Sequence, residues 1–225
     1  MNDKVLLAWV HTGTVHEPFA RTIAELCLHK PNRIVGITAT TSPRQEESRN
    51  ATIHNFLETD ADWLMWIDTD MTLEKNAIEL LLETAHQHEA DIAGAIGYIY
   101  NRLTQEITPN GYHWDDDKKT YVSLWDYNPG ETYTVDATGS GCVLIHRRVF
   151  ESWDDENWHE TWHTHPYTGG HMGHDLAFCF KSKREYGHKI VWNTNIKSGH
   201  IKPFELTEAN YIAYRDSLLE RPYDL

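Results

Sequence analysis

The stretch Trp63-Leu64-Met65-Trp66-Ile67-Asp68-Thr69-Asp70-Met71 constrains this chain more than any other. It reads as a short buried strand that ends in two carboxylates separated by one residue. In extended backbone, residues i and i+2 point to the same side, so Asp68 and Asp70 converge and Thr69 points away. Like charges this close repel unless a cation sits between them. Hard oxygen ligands suit Mg²⁺ or Mn²⁺, which also take oxygens from a substrate phosphate. The motif therefore predicts a metal–diphosphate site at the carboxyl end of a strand, where open α/β sheets bind ligands. The competing reading makes Asp70 or Thr72 the cap of a helix that begins near Leu73.

Hydrophobic patterning places this strand in an alternating series. Residues 5–10, 33–38, 63–67 and 91–96 read as strands, and 16–28, 46–58 and 74–88 as helices. That β-α-β-α-β-α-β order implies an α/β fold with a mostly parallel sheet and helices on both faces. The second half breaks the rhythm. Residues 108–135 read as a polar, aromatic hairpin region with turns at Asn110-Gly111 and Pro129-Gly130. Residues 141–145 form a strand leading into a helix from Arg147, and 154–173 a long loop rich in Trp, His and Gly, as lids and binding loops are. A helix over 174–186, a strand over 189–192 and a terminal helix over 207–219, capped by Thr207, complete the series.

The chain has 225 residues, 40% of them hydrophobic and 24% charged, which suits one large globular domain with a sizeable core. No run is long and apolar enough to span a membrane. The N-terminus leads straight into a strand, with no signal peptide expected. Cys27, Cys142 and Cys179 lie far apart in apolar contexts, which suits reduced thiols and a cytoplasmic location. A net charge of −14 makes a poor nonspecific ligand for nucleic acid or anionic membrane. One basic run departs from this: Lys181, Lys183, Arg184, His188 and Lys189, with Arg147 and Arg148. It either faces a phosphate-bearing partner or, as is commoner, forms a solvated helix face.

Other segments carry candidate chemistry, each beside a plainer explanation. His11-Thr12-Gly13-Thr14 is a polar turn at the end of the first strand, with room for a nucleotide, or an ordinary strand-to-helix turn. Arg49, in Ser48-Arg49-Asn50, can reach a diphosphate or base bidentately, or lie on the surface. The glycines of Thr138-Gly139-Ser140-Gly141-Cys142 let a ligand approach the backbone, or make a bulge. Asp175, in Gly173-His174-Asp175, is stabilised as an anion at a helix start; it is a general base if it faces the cleft, and an N-cap otherwise. His200, in Lys197-Ser198-Gly199-His200-Ile201-Lys202, is a third metal ligand for the two carboxylates or a structural histidine, and Lys202 can meet a phosphate.

Taken together, these residues resemble the GT-A fold glycosyltransferases, close to family 2 and to small bacteriophage-encoded members. The likeness runs through nearly the whole chain. It includes the nucleotide turn, Arg49-Asn50, Asp68-Thr69-Asp70, the small-residue loop before Leu144-Ile145-His146-Arg147-Arg148-Val149-Phe150-Glu151, the acid at a helix start and Gly199-His200. The resemblance implies one GT-A domain over 1–225. Residues 1–100 form its nucleotide-sugar-binding half, and 101–225 a smaller mixed acceptor-side half with a C-terminal helix.

The resemblance further implies a nucleotide-diphosphate-sugar donor and Mn²⁺ or Mg²⁺. Asp70 binds the metal directly, Asp68 supports the metal or the ribose, and His200 completes the ligands. His11, Thr12, Gly13, Arg49, Asn50, Asp68, Thr69, Gly139, Ser140, Gly141 and Lys202 belong to the donor site. Asp175 matches the acid that deprotonates the acceptor hydroxyl in inverting members, although many members carry Glu-Asp where this chain has His174-Asp175. Retaining enzymes share the metal motif without such a base, so the stereochemistry is open. The Gln-x-x-Arg-Trp motif of processive synthases is absent. A single transfer is expected, to a hydroxyl on a sugar, a small molecule or a modified nucleic-acid base, in the cytoplasm (the host's, if the gene is phage-borne).

Two rivals belong to other classes. His159-Glu160-Thr161-Trp162-His163 matches the zinc-hydrolase pattern H-E-x-x-H, which needs both histidines on one helical face; Pro166 would end such a helix within a turn. With 9 Trp and 11 Tyr, the chain also suits a noncatalytic carbohydrate-binding protein, its stacking faces drawn from Trp114, Trp125, Trp153, Trp158 and Trp162.

Overall fold

The computed structural model describes residues 3–42, 44–101, 106–154, 156, 158–159, 163–202, 208 and 212. Of the terminal helix expected over 207–219, only residues 208 and 212 are described, both helical; the rest lies outside the described residues. The first half alternates as its hydrophobic pattern requires: β1 (Val5–Val10), α1 (Glu17–His29), β2 (Ile34–Thr40), α2 (Gln45–Leu57), β3 (Trp63–Ile67), β4 (Met71–Leu73), α3 (Ala77–Gln87) and β5 (Ile92–Ile96). Short strands follow: β6 (Tyr98–Tyr100), β7 (Ile107–Pro109), β8 (Gly111–Asp115), β9 (Thr120–Ser123), β10 (Thr132–Val135) and β11 (Ala137–Thr138). The chain then forms β12 (Cys142–His146), α4 (Arg147–Glu151), β13 (His163–Thr164), β14 (His171–Met172), α5 (His174–Arg184) and β15 (Ile190–His200).

The central sheet has the order β10-β15-β5-β12-β3-β1-β2. Strand β1 is parallel to β2 and β3, β15 is parallel to β5, and β12 runs antiparallel to both β3 and β5. Strands β1, β2, β3, β5 and β15 thus share one direction, and the sheet is mostly parallel. Strand β3 explains why helices cover both faces. Its five residues are all buried. Trp63, Met65 and Ile67 join Phe19, Leu26, Ile78 and Leu81 of α1 and α3. Leu64 and Trp66 join Ile53 and Phe56 of α2 and Phe178 of α5. Each such large side chain contributes about 1.5–3 kcal/mol by leaving water.

Several local expectations are corrected. Asp70 and Thr72 cap no helix: Met71–Leu73 is a strand paired with β15, and α3 starts at Ala77 with Asn76 as its N-cap. Asn110-Gly111 is not a hairpin turn. Asn110 is buried, its Oδ1 accepting from Gly97 N at 2.7 Å and Trp192 Nε1 at 3.0 Å. Gly111 lies against the Trp192 ring, where a Cβ would come within 2.5 Å. The hairpin joins β8 to β9 instead, with Lys119 at φ +52°. Strand β15 is longer than 189–192 and runs on across an irregularity to pair with β4. The loop over 154–173 contains the β13–β14 ladder.

The basic run is partly solvated, with Arg148, Arg184 and Lys189 exposed, and its charges are engaged locally. Lys183 pairs with Asp136 at 2.7 Å, Lys181 lies over Trp153 and Arg184 over Trp114. Arg147 donates to the carbonyls of Phe56, Leu57, Thr59 and Ala61, closing the end of α2. Arg148 and His188 hold Asp91. All three cysteines are free thiols. No helix among the described residues is long and apolar enough to cross a membrane.

Candidate active site

Strand β3 stops at Ile67 because the chain turns there. Asp68 N donates to Gly141 O at 2.9 Å, and Met71 N returns to Asp68 O at 3.0 Å. Asp68 and Asp70 are therefore not neighbours on one side of a strand, and Thr69 lines the same cavity as both of them. Each carboxylate has its own cation. Asp68 Oδ1 accepts from Arg49 Nη2 at 2.9 Å. Arg49 is only 1% exposed, its guanidinium 4.4 Å from the Trp66 ring centroid. It is thus an internal counter-ion to Asp68 rather than a surface arginine. Burial pushes the Asp68 carboxyl up; Arg49 opposes this, while Asp70 and Asp175 add to it.

Asp70 is tuned the other way. Burial alone would raise it, but bonds from His200 and Lys202 outweigh that and hold it well below the usual carboxylate range. His200 Nε2 lies 3.0 Å and Lys202 Nζ 2.8 Å from the same oxygen, Oδ2. His200 Nδ1 donates to Tyr98 O at 2.7 Å. That bond fixes the ring and turns Nε2 toward Asp70, the arrangement that a carbonyl gives to metal-ligating imidazoles. The contact with Asp70 in turn pushes the His200 imidazole up, against the effect of its burial. Among the described residues, no three His, Cys, Asp or Glu side chains form a ready metal cage. The preformed element is the Asp70–His200 pair, while Asp68 is engaged by Arg49.

Two cavities meet at Asp68. One of about 330 Å³ is lined by Val10, His11, Thr12, Ser42, Gln45, Asp68, Thr69 and Asp70. The other, of about 190 Å³, is bordered by Asp68, Gly139, Ser140, Gly141, His174, Asp175 and His200, among others. Asp175 is not the N-cap of α5: Gly173 holds that position, and Asp175 Oδ1 accepts from Leu176 N at 2.8 Å in the first turn. Among the described residues it has no ion-pair partner, and it faces the cavity beside Asp68.

The sequence matches the profile of glycosyl transferase family 2 over residues 29–154, more than half of the chain. The chain belongs to glycosyl transferase family 2. No curated protein matches it by sequence. Among solved structures it is similar to A197 from STIV, with a TM-score of 0.59 and 17% identity, over 89% of this chain and 86% of that one. It is also similar to GalNAc-T7, solved with UDP, GalNAc and Mn²⁺, with a TM-score of 0.62 and 14% identity, over 90% of this chain and 44% of that one. At these identities the likeness is one of fold, and that fold is GT-A. Family and fold together make the chain a glycosyltransferase.

In this family-2 chain the remaining candidates are placed as follows. Gly13, at φ +109°, donates its N–H to His11 Nδ1 at 3.0 Å and shapes the turn beside the first cavity. Asn50 does not border either of these cavities; its amide exchanges two 2.9 Å bonds with the backbone of His159. Gly139 N donates to the backbone carbonyl of Asn110 at 2.8 Å, so that loop is tied to the backbone of a buried residue. Sequence reasoning missed Ser42, Gln45 and the Tyr98 carbonyl. The first two carry no motif, and a backbone oxygen leaves no trace in residue type.

The rivals lose their footing in the same structure. His159 is buried and stacked on Phe178 at 5.0 Å, and His163 starts a strand, so the pair shares no helical face. Glu160, Thr161 and Trp162 lie outside the described residues. Trp153 and Trp158 are core residues: Trp153 stacks on Phe178 and Tyr186, and Trp158 meets Phe150 edge-on. Trp114 is buried as well, and Trp125 is exposed.

Proposed function

We propose that this glycosyltransferase moves a sugar from a nucleotide-diphosphate donor to an acceptor hydroxyl, with Mn²⁺ or Mg²⁺ as its cation. One observation carries the reading: the oriented Asp70–His200 pair stands beside the point where two cavities meet at Asp68. The nucleotide occupies the cavity of His11, Thr12, Asp68, Thr69 and Asp70, in the half formed by residues 1–100. The acceptor enters that of His174 and Asp175, in the half formed by 101–225, where Gly139, Ser140 and Gly141, expected in the donor site, form the wall next to Asp68. Its chemical nature, whether sugar, small molecule or modified base, is set by that cavity. The UDP and Mn²⁺ of GalNAc-T7 support the donor class and the metal.

An oxygen and an imidazole nitrogen suit Mn²⁺ or Mg²⁺ when phosphate oxygens and water complete the set. Asp70 and His200 would hold the ion, with Asp68 beside them. Bound there, the cation neutralises charge on the departing diphosphate. Arg49 keeps Asp68 in place. Asp175 accepts the proton of the acceptor hydroxyl as its oxygen bonds to the sugar carbon. The free thiols support work in a reducing, cytoplasmic compartment.

The test is a thermal-shift screen of UDP, GDP, ADP, CMP and dTDP, with and without Mn²⁺. One diphosphate should raise the melting temperature only with Mn²⁺ and not in Asp70→Ala, because a ligand of the native state stabilises it by mass action. A shift that ignores both Mn²⁺ and Asp70 would overturn the metal reading.

A further inference from the structure

The end of β15 delivers an imidazole and an ammonium to one carboxylate. His200 ends β15 and Lys202 follows two residues later. Between them, Ile201 N donates to Asp70 O at 2.7 Å and pins the segment there. Both side chains then reach a single atom, Asp70 Oδ2. An ion held between Asp70 and His200 would sit on the side of the carboxylate that Oδ2 presents to Nε2, where the Lys202 ammonium already lies. Two cations on one carboxylate oxygen repel each other, so the Lys202 ammonium competes with the ion for its place.

The neighbouring carboxylate is served differently. Arg49 is sealed beneath Asp68 against Trp66 and has no route out. Lys202 has a side chain 35% exposed, a flexible four-carbon stem and one bond to its partner. One carboxylate therefore has a fixed counter-ion and the other a removable one. A diphosphate beside Asp70 supplies the negative charge that draws the removable one away.

We propose that Lys202 is a tethered stand-in for the divalent cation, neutralising Asp70 until metal and diphosphate arrive together and then moving to the diphosphate. The proposal rests on the metal reading above. Its consequence is ordered loading: metal alone binds weakly, metal and diphosphate strengthen each other, and by linkage the effect is reciprocal.

The experiment is calorimetric titration with Mn²⁺ alone, checked by the paramagnetic resonance of free Mn²⁺, on wild type, Lys202→Met, Lys202→Arg and Asp70→Ala. Lys202→Met should bind Mn²⁺ about two- to fivefold more tightly than wild type, the range that a partly exposed ion pair allows. Lys202→Arg should stay near wild type because it keeps the charge, and Asp70→Ala should lose the site. Lys202→Gln provides the same test if the Met variant folds poorly. Equal or weaker binding by the uncharged variants overturns the proposal, and Asp70-dependent binding by wild type would then leave the metal reading standing. Absence of Asp70-dependent binding in every protein overturns both.

Discussion

Replacing Arg49 by Leu keeps apolar bulk beneath the site and removes the only cation bonded to Asp68 among the described residues. Breaking a buried ion pair typically costs about 3–5 kcal/mol, because the remaining charge is stranded. Asp68 retains 31% side-chain exposure, so water partly solvates it, and the cost falls to about 2–3 kcal/mol. The loss should depend on pH in a defined direction. Asp68 already has a folded-state pKa above its unfolded value of 3.8, and without Arg49 it rises further. Between the unfolded and folded values the native state binds the extra proton, so stability falls as pH rises through that window. Urea unfolding should therefore show a larger deficit for Arg49→Leu at pH 7 than at pH 4. Asp68→Asn in the same background should recover most of it. A deficit that is constant with pH, or unrelieved by Asp68→Asn, would refute the stranded-charge account and leave packing over Trp66 as the cause.

Three further outcomes are expected. Asp91 accepts from Lys189 N at 2.8 Å and is held by Arg148 and His188, which outweigh burial and keep its carboxyl well below the usual range. Its stabilising effect is present above pH 3.8 and lost as pH falls. Asp91→Asn should thus cost about 2 kcal/mol at pH 7 and progressively less as pH falls below 3.8, with a part of the deficit still present at pH 3, in denaturant titrations, with nucleotide affinity unchanged. Asn110→Ala strands the Gly97 and Trp192 N–H groups inside the fold and should cost about 2–4 kcal/mol, read as a fall in the urea midpoint. Asp175→Asn should leave Mn²⁺-dependent nucleotide binding intact and slow sugar transfer by about 10²–10⁴-fold; transfer at the wild-type rate would remove Asp175 as the base.

What the sequence made legible is what burial dictates locally. Trp63–Ile67 could only be an interior strand, and the alternation around it followed from apolar periods that helices and strands cannot exchange. The site was legible as a set of residue types and not as a geometry. Asp68 and Asp70 reach one cavity through a turn and not along a strand, because Gly141, across the sheet, closes the chain after β3. Asn110-Gly111 carries the usual turn signal, yet Trp192 fills the space over that glycine and bonds the asparagine. His200 meets Asp70 only because β15 continues past its pairing with β5 to reach β4. Arg49 and Lys202 carry the same charge and both bind an aspartate of one motif. Residue type cannot tell the sealed pair from the releasable one, since burial and tether length are properties of the folded chain. That difference separates a residue that holds the motif in shape from one free to respond to a ligand, so substituting the first should be read in stability and substituting the second in metal affinity.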